Sequence, residues 1–578
     1  MNTAELSNLN DKDLNTMVFF YPALVLLSFL LYNIYSLYSN YRNASTLGLP
    51  RIISPITPDN PLWIAFQTAF KVIVRRFPFG ATSFTRHTRL GWEFHDRFRT
   101  HVRLGDAWVL VTPARNWVFV ANAAAVTDIF SRGRDFVRPL WMLETLNVFG
   151  PNISTAEGHD WQRQRKLTAT PFNEQKSPLV WNESFRQAED MLLSWCSRSQ
   201  DGITTTPDDT RTLALHVLAY VAFQKSYPFD SISQSAAADR NSLTYRDSIA
   251  IILENVLLIM VLPEKVFTLP FLLRSSQQVG WAINSFREYM TAQVAAEREL
   301  IRNGEAGTGN LVSNLVRASD EGLATSSDSG NSSKLKPLTN AEILGNIFVF
   351  NFAGHDTTAI SLAYGMLLLV AHPEVQDWVH EEIEHYVGDQ DPKTLAYNEI
   401  FPKLKRSLAV LFETLRLYNP LPGVPKYTGS KSTDLTIDGR TYHIPADYLV
   451  VPHLQAFHTH PRHWGSDSLV WRPARWIEHP GNLEQETLFN PPKGTYFPWS
   501  EGIRNCPGKK FAQVEFVATL TALFKNHIAE PVPNANESID AARKRTLDIV
   551  QDSNVELLLQ MANPRNVSVR WVERSAKD

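Results

Sequence analysis

The chain has 578 residues, 44% hydrophobic and 20% charged, which is enough apolar matter for a large buried core. A net charge of −3 gives no global attraction to nucleic acid, and two cysteines, Cys196 and Cys506, exclude a disulfide framework of any size. Asn-x-Ser sequons such as Asn152-Ile153-Ser154 carry weight only if the body is lumenal.

Residues 17–38 contain no charged side chain. As a helix this run extends about 33 Å, enough for a hydrocarbon core of about 30 Å, and it reads as a single N-terminal transmembrane helix. Glu5, Asp11, Lys12 and Asp13 make the preceding segment acidic, whereas a cleaved signal peptide opens with a basic region. Arg42 and Arg51 follow the span, which puts residues 1–16 in the lumen and the body in the cytoplasm. Residues 39–61 read as an extended linker stiffened by Pro50, Pro55, Pro58 and Pro61. Residues 62–70 are a short apolar stretch ahead of Lys71, Arg75 and Arg76; they either rest on a membrane surface or pack as a core helix.

From there to residue 578 the pattern is mainly α with a small β portion, without an internal repeat, and reads as one domain, 62–578. Residues 108–112 and 117–120 are rich in β-branched and aromatic side chains and flank Pro113, which predicts a hairpin. Leu435-Thr436-Ile437 and Thr441-Tyr442-His443-Ile444 predict a second, turned at Asp438-Gly439. The serine-rich stretch 324–333 predicts a surface loop. Thr339-Asn340-Ala341-Glu342 then has the form of a capping box, so a long apolar helix starts there.

Within that helix stands Ala353-Gly354-His355-Asp356-Thr357-Thr358. Small residues let a flat group approach the backbone, and Asp356 with Thr357 supplies an acid and a hydroxyl for proton delivery. The competing reading is a helical threonine bonded to the preceding turn's carbonyl. Further on, Trp499-Ser500-Glu501-Gly502-Ile503-Arg504-Asn505-Cys506-Pro507-Gly508 sets one cysteine among glycines, with an arginine two residues upstream. Backbone N–H groups and a guanidinium favour a thiolate, which is a metal ligand. A cysteine without such a setting, as Cys196 is, reads as a small core hydrophobe.

The Cys506 loop resembles the haem-binding loop of the cytochrome P450 family, Phe-x-x-Gly-x-Arg-x-Cys-x-Gly: Gly502, Arg504, Cys506 and Gly508 match, and Trp499 stands at the first position. Four more segments match in the family's order. Trp161 and Arg165 lie one helical turn apart, Asp356-Thr357 matches the oxygen-activation motif, Glu413-Thr414-Leu415-Arg416 matches the Glu-x-x-Arg element, and Pro473-Ala474-Arg475 matches its downstream partner. The resemblance implies a cytochrome P450-like fold holding heme b, with Cys506 as axial thiolate donor to iron. It also implies that Trp161, Arg165, Lys426 and Arg504 face the haem carboxylates, and that Thr357 positions activated dioxygen while Asp356 relays protons from water. His458, His460 and His463 invite a zinc reading, but their spacing lacks the paired Cys/His ligands of such sites.

The function implied is a membrane-anchored haem-thiolate monooxygenase of the endoplasmic reticulum, acting on a lipophilic small molecule. Its electrons would come from NADPH-cytochrome P450 reductase, with cytochrome b5 as a second donor, and Lys509, Lys510, Arg163 and Lys166 would form the docking face. Residues 138–152, 348–353, 421–424 and 553–555 would line the pocket, where Phe348, Phe350, Phe352, Leu421 and Val424 are apolar. The loop and helix motifs resemble those of filamentous-fungal members, which points to secondary metabolism. A haem-thiolate isomerase or dehydratase working without a reductase, and a haem-binding sensor, are the alternatives; neither would use the Asp356-Thr357 pair.

Overall fold

The computed structural model describes residues 11–574 except 61–62, 64–81, 169–173, 199–201, 231–242, 270–272, 308, 328–335, 391–393, 395 and 556. Helices dominate it. In chain order the long ones are α1 (Asp11–Ser45), α2 (Gly158–Thr168), α3 (Ser177–Arg198), α4 (Thr206–Phe223), α5 (Tyr245–Glu254), α6 (Arg274–Arg302), α7 (Leu311–Ser327), α8 (Asn340–Ala371), α9 (Pro373–Tyr386), α10 (Lys405–Leu417), α11 (Lys509–Phe524) and α12 (Ile539–Gln551). The largest sheet takes β1 (Arg51–Ile53), β2 (Ala107–Val111), β3 (Asn116–Val120), β4 (Lys426–Tyr427) and, after the hairpin β5 (Thr433–Ile437) and β6 (Arg440–Ile444), β7 (Leu449–Pro452), in the order β1-β2-β3-β7-β4.

Both expected hairpins are present. β2 and β3 pair antiparallel, and β5 pairs with β6 from Thr433↔Ile444 to Ile437↔Arg440. The two residues left between the last pair, Asp438 and Gly439, have φ of 50° and 75°, as a two-residue turn matched to strand twist requires.

Helix α8 runs through the core. It starts at the expected capping box, where the Thr339 hydroxyl accepts the Glu342 N–H at 3.2 Å and the Glu342 carboxylate accepts the Thr339 N–H at 2.8 Å. It stops where His372 precedes Pro373, because proline disfavours helical geometry in the residue before it; His372 has φ −125° and ψ 75°. Nearly every side chain of α8 is buried, and it packs against α4, α10 and α12. The serine-rich stretch expected as a loop divides in two: α7 extends through Ser327, and 328–333 lie outside the described residues.

Helix α10 is locked to the chain that follows by a fully buried knot. Glu413 Oε2 accepts Arg416 Nε at 2.7 Å and Oε1 accepts Arg416 Nη2 at 2.8 Å and Arg475 Nε at 2.8 Å. The Trp476 indole N–H (3.0 Å) and the Arg472 backbone N–H (2.9 Å) complete the carboxylate's shell. Arg416 also donates to the carbonyls of His458 (2.7 Å) and Ser468 (2.6 Å). This charge network holds Glu413 below the ordinary carboxylate range despite its burial.

The N-terminal segment differs from the expected helix-then-linker division. The part of α1 from Phe20 to Ser45 is long and apolar enough to cross a membrane, and its apolar stretch is not buried against the body. Yet α1 continues past residue 38, and its end docks on the sheet. Leu37 and Tyr41 pack on the sheet's core, Asn40 Nδ2 donates to the Thr112 carbonyl at 2.9 Å, and Asn116 Nδ2 donates to the Asn40 carbonyl at 3.0 Å. Residues 51–53, read as linker, form β1 and pair in parallel with β2. Of the apolar stretch 62–70 only Trp63 lies within the described residues; its indole N–H donates to the Thr88 carbonyl at 2.7 Å.

Two outcomes are expected. Removal of residues 1–35 leaves thermal stability of the body within about 1 kcal/mol, whereas removal of 1–45 strips buried Ala44 and the Asn40 bonds and lowers it by roughly 2–3 kcal/mol, read by denaturant titration. Glu413→Gln leaves Arg416 and Arg475 short of their anion and lowers stability by roughly 3–5 kcal/mol in the same assay.

Candidate active site

The Cys506 loop lies between β-hairpin chain and α11, and its shape depends on two residues with positive φ. Ser500 (61°) and Gly502 (74°) turn the chain, and a Cβ on Gly502 would stand 2.5 Å from the Phe130 carbonyl oxygen, so only glycine fits. The loop closes with a hydrogen bond from Cys506 N–H to the Trp499 carbonyl at 2.9 Å. The Trp499 indole packs edge-on against Phe412 at 6.1 Å, and Lys509 lies over it at 5.4 Å. The sulfur itself is open rather than packed over. It is nonetheless ringed by protein: burial pushes its thiol up, while the Gly508 N–H and the charge of Arg165 pull it back down.

Cations converge beside this loop. Arg504 donates to the Ala156 carbonyl at 3.1 Å and stacks on the Trp161 ring at 4.4 Å, and Arg165 donates to Asn505 Oδ1 at 2.9 Å. Arg138, Lys426 and Arg504 line one cavity of ≈ 250 Å³, together with Glu157. Their mutual repulsion is visible in their titration. Burial and the charges of Arg138 and Arg504 push Lys426 down to about 7, and burial with Arg504 and Arg165 pushes Arg138 down to about 10. Two carboxylates, Glu157 and Glu501, line the same cavity, with Arg134 as a further cation, and Arg165 stands outside it beside the sulfur. Such a set has the chemistry to take a dianion, and a flat ligand with two carboxylates and a metal for Cys506 fits it; haem is that kind of ligand.

Helix α8 presents Ala353 as an exposed small side chain and Thr357 one turn later. Thr357 Oγ1 donates to the Ala353 carbonyl at 2.6 Å, the back-bonded geometry weighed for it from the sequence. Asp356 points elsewhere, to Arg211 on α4. Leu421 is 48% exposed. Phe348, by contrast, is fully buried: it packs on Phe149 (5.2 Å) and Phe352 (6.1 Å), and Phe149 packs on Phe286 of α6 (4.7 Å). Phe348, Phe350 and Phe352 share one buried hydrophobic cluster.

Arg163 is also displaced from its expected role. It forms a buried ion pair with Glu342 and a further one with Asp160 at 3.2 Å, which fastens α2 to the start of α8 and removes it from any docking face. Of the three histidines after residue 457, His463 stacks on Phe457 at 6.0 Å and the other two serve the backbone. His458 Nε2 accepts the Phe497 N–H at 3.1 Å, and His460 Nδ1 accepts the Arg462 N–H at 3.0 Å.

Comparison with known proteins decides the family. The cytochrome P450 family model matches residues 78–550. The chain belongs to the cytochrome P450 family. A cytochrome P450 monooxygenase of Arthrobotrys oligospora is 27% identical over 92% of this chain and 94% of its own. A phomenoic acid biosynthesis cluster cytochrome P450 monooxygenase of Leptosphaeria maculans is 27% identical over 90% and 93%. A crystal structure of a cytochrome P450, 18% identical, superposes with a TM-score of 0.61 over 83% of this chain and 94% of that one, which bears on the fold alone. The protein is thus a mostly helical P450 monooxygenase, and the family implies a haem-iron cofactor ligated by a cysteine thiolate.

Sequence reasoning missed two residues of this site. Arg138 was read as the edge of a substrate segment, and only the fold shows that it shares a cavity with Lys426 and Arg504. Arg211 had no signal at all, since its partner lies 145 positions away. The structure does bring together Trp161, Arg165, Arg504 and the Cys506 loop.

The Lys426 titration gives a signed prediction. In the haem-free protein Lys426 titrates near 7, and a bound dianion raises that value, so haem uptake takes up a proton above about pH 7 and weakens as pH rises. Ionisation of Cys506 on metal binding acts with the opposite sign. Haem titrations of apoprotein should therefore show a pH slope differing by up to about one proton between wild type and Lys426→Met above pH 7; equal slopes would place Lys426 away from the haem carboxylates. Arg504→Ala should lower haem occupancy by the equivalent of about 1–3 kcal/mol.

Proposed function

We propose that Cys506 is the axial ligand of heme b, that Arg138, Arg165, Lys426 and Arg504 hold its carboxylates, and that Trp161, Trp499, Gly502 and Gly508 shape its seat. The observation carrying this reading is an exposed cysteine with Arg165 beside its sulfur, next to a cavity lined by Arg138, Lys426 and Arg504. When bound, the haem supplies dioxygen activation, and one oxygen atom enters a lipophilic substrate while the other leaves as water.

The chain's own groups handle protons and water. Thr357 Oγ1, now spent on the Ala353 carbonyl, is the hydroxyl nearest the exposed small residues of α8, and breaking one helical back-bond frees it to orient a water. Asp356, part-exposed on its outer side, carries protons inward from solvent. The apolar surface at Leu421 excludes water from the substrate and favours a lipophilic one.

The body faces the cytosol from the endoplasmic reticulum membrane, with α1 as its anchor, and receives electrons from NADPH-cytochrome P450 reductase, with cytochrome b5 as a second donor. Lys509 and Lys510 remain for the docking face; Lys510 also lies 3.6 Å from Glu174. The relative from a phomenoic acid cluster supports a role in fungal secondary metabolism, on a terpenoid, polyketide or alkaloid scaffold.

Two experiments test this. Cys506→Ala should lose the carbon-monoxide difference spectrum of a haem thiolate; retention of that spectrum would end the ligand assignment. Thr357→Ala should keep haem yet divert NADPH into hydrogen peroxide, lowering product formed per NADPH by roughly tenfold or more, in line with loss of general acid–base catalysis. An unchanged ratio would make Thr357 a packing residue, and product formed with no NADPH consumed would favour the isomerase chemistry.

A further inference from the structure

Among the described residues the buried acids have partners, with one exception. Asp96, Glu183, Glu297, Glu342, Glu413 and Glu486 each meet an arginine. Glu382 accepts the backbone N–H groups of Arg406 at 2.6 Å and Ser407 at 3.0 Å. Glu515, in the middle of α11, is fully buried, and no group among the described residues hydrogen-bonds to either of its carboxyl oxygens. A carboxylate left in such a place costs far more than a neutral acid, and burial alone pushes Glu515 well above the ordinary carboxylate range. Ionisable groups on the elements packed against α11 are engaged elsewhere: Glu183 with Arg186 on α3, Glu413 with Arg416 on α10, Glu382 of α9 with the start of α10, Tyr364 of α8 with Ser553, and Glu530 of the strand His527–Pro531 with Arg570.

Glu515 is not the only unanswered polar group here. Thr519, one turn further along the same helix face, is fully buried, and its hydroxyl has no partner among the described residues either. Helix α3 lies alongside α11. Lys510 stands 3.6 Å from Glu174 just before α3 begins, and at the other end Trp195 of α3 and Phe524 of α11 both pack on the Trp571 ring, at 5.3 and 5.2 Å. Between these two points α3 carries Trp181 and Ser184, both fully buried, whose indole N–H and hydroxyl are likewise without a partner among the described residues. Unsatisfied donors and acceptors gathered along one helix pair are the pattern that internal water answers, since each group alone forfeits a hydrogen bond.

We propose that the seam between α3 and α11 is a buried water-binding site anchored by Glu515 as a neutral carboxylic acid. Bound water there accepts from the Glu515 O–H and the Trp181 N–H and donates to the Thr519 and Ser184 hydroxyls. A cation is the rival occupant, and the donor set argues against it: one carboxyl, two hydroxyls and an indole that only donates fall short of the oxygen cage a hard cation takes. The site is separate from the seat proposed for haem, yet α11 starts directly after Gly508, whose N–H faces the sulfur. Holding Glu515 neutral keeps a second anion off the helix that begins at the thiolate loop.

The test uses the holoenzyme, with Glu515→Gln as the variant that keeps shape and hydrogen bonding. The infrared difference between wild type and Glu515→Gln at about pH 8 should contain a carboxylic-acid C=O stretch from the wild type; carboxylate bands in its place would overturn the proposal. Denaturant titrations give a second reading, because the unfolded acid releases its proton near about 4.3 while the native one keeps it. The unfolding constant of wild type relative to Glu515→Gln should therefore rise about tenfold per pH unit between about pH 5 and 7, and a ratio that is flat with pH counts against a neutral Glu515. For the water itself, a crystal structure of the holoenzyme should place ordered water within hydrogen-bond reach of both Glu515 and Thr519. A dry seam, a metal ion there, or a Glu515 carboxyl bonded directly to protein would each sink the site. Thr519→Val should raise the unfolding constant several-fold in the wild type and have no such effect in a Glu515→Leu background, whereas equal effects in both would show that the two residues share no ligand.

Discussion

Uncompensated positive charge is the constraint around which this protein is organised. Arg138, Arg165, Lys426 and Arg504 come from four separate parts of the chain, and burial alone makes each of them less willing to hold its proton. A soluble protein seldom buries cations without partners, since each costs several kcal/mol unless paired. Glu157 and Glu501 offset part of this charge, and on the proposed reading an anion from outside the chain offsets the rest. On that view the cofactor contributes to the fold as well as to the chemistry: it would bind the native state and not the unfolded one, and stabilise accordingly.

The rest of the scaffold reads as the means of bringing these charges and one sulfur to a common place. The Glu413 knot carries its own charges in balance, the guanidiniums of Arg416 and Arg475 against the carboxylates of Glu413 and Asp467, so it needs no ligand. It fixes α10 against the segment that leads to the Cys506 loop. The Arg163–Glu342 pair does the same for α2 and α8, on opposite sides of the site. Charge pairs that are complete hold the frame, and charges that are incomplete mark the site. The same distinction separates Arg163 from Arg165, two positions apart on one helix, with one closed into an ion pair and the other left facing Asn505 and the sulfur.

How much of this could be read beforehand follows from how local each signal is. The capping box at Thr339, the Asp438-Gly439 turn and the two hairpins depend on residues within a few positions of one another, and the structure agrees with them. The Cys506 loop was legible for the same reason, with Gly502 forced by a carbonyl 2.5 Å from where a Cβ would be. What failed was long-range. The string gives no sign that Phe348 meets Phe149, or that Phe149 in turn meets Phe286 from another element. Arg138 and Arg211 acquire meaning only through partners far along the chain. Prolines near residue 50 spoke for an extended linker, but an extended segment next to an open strand edge is free to pair with it, and residues 51–53 do.

That pairing bears on how the body meets the membrane. A free linker would let the catalytic body swing beneath its anchor, and any face could then approach the lipid. Here α1 carries on as helix into the protein, Asn40 donates to the Thr112 carbonyl and accepts from Asn116 across the helix–sheet contact, and Ala44, Leu47 and Leu49 are buried on the sheet's core. The sheet edge is occupied by β1 immediately afterwards. With helix end, buried leucines and strand all attached to one sheet, tilting the body against the anchor requires breaking several contacts together. The anchor therefore sets an orientation as well as a location. On the proposed reading of α1 as an anchor, a lipophilic substrate partitioning from the bilayer would meet the same side of the body in every molecule.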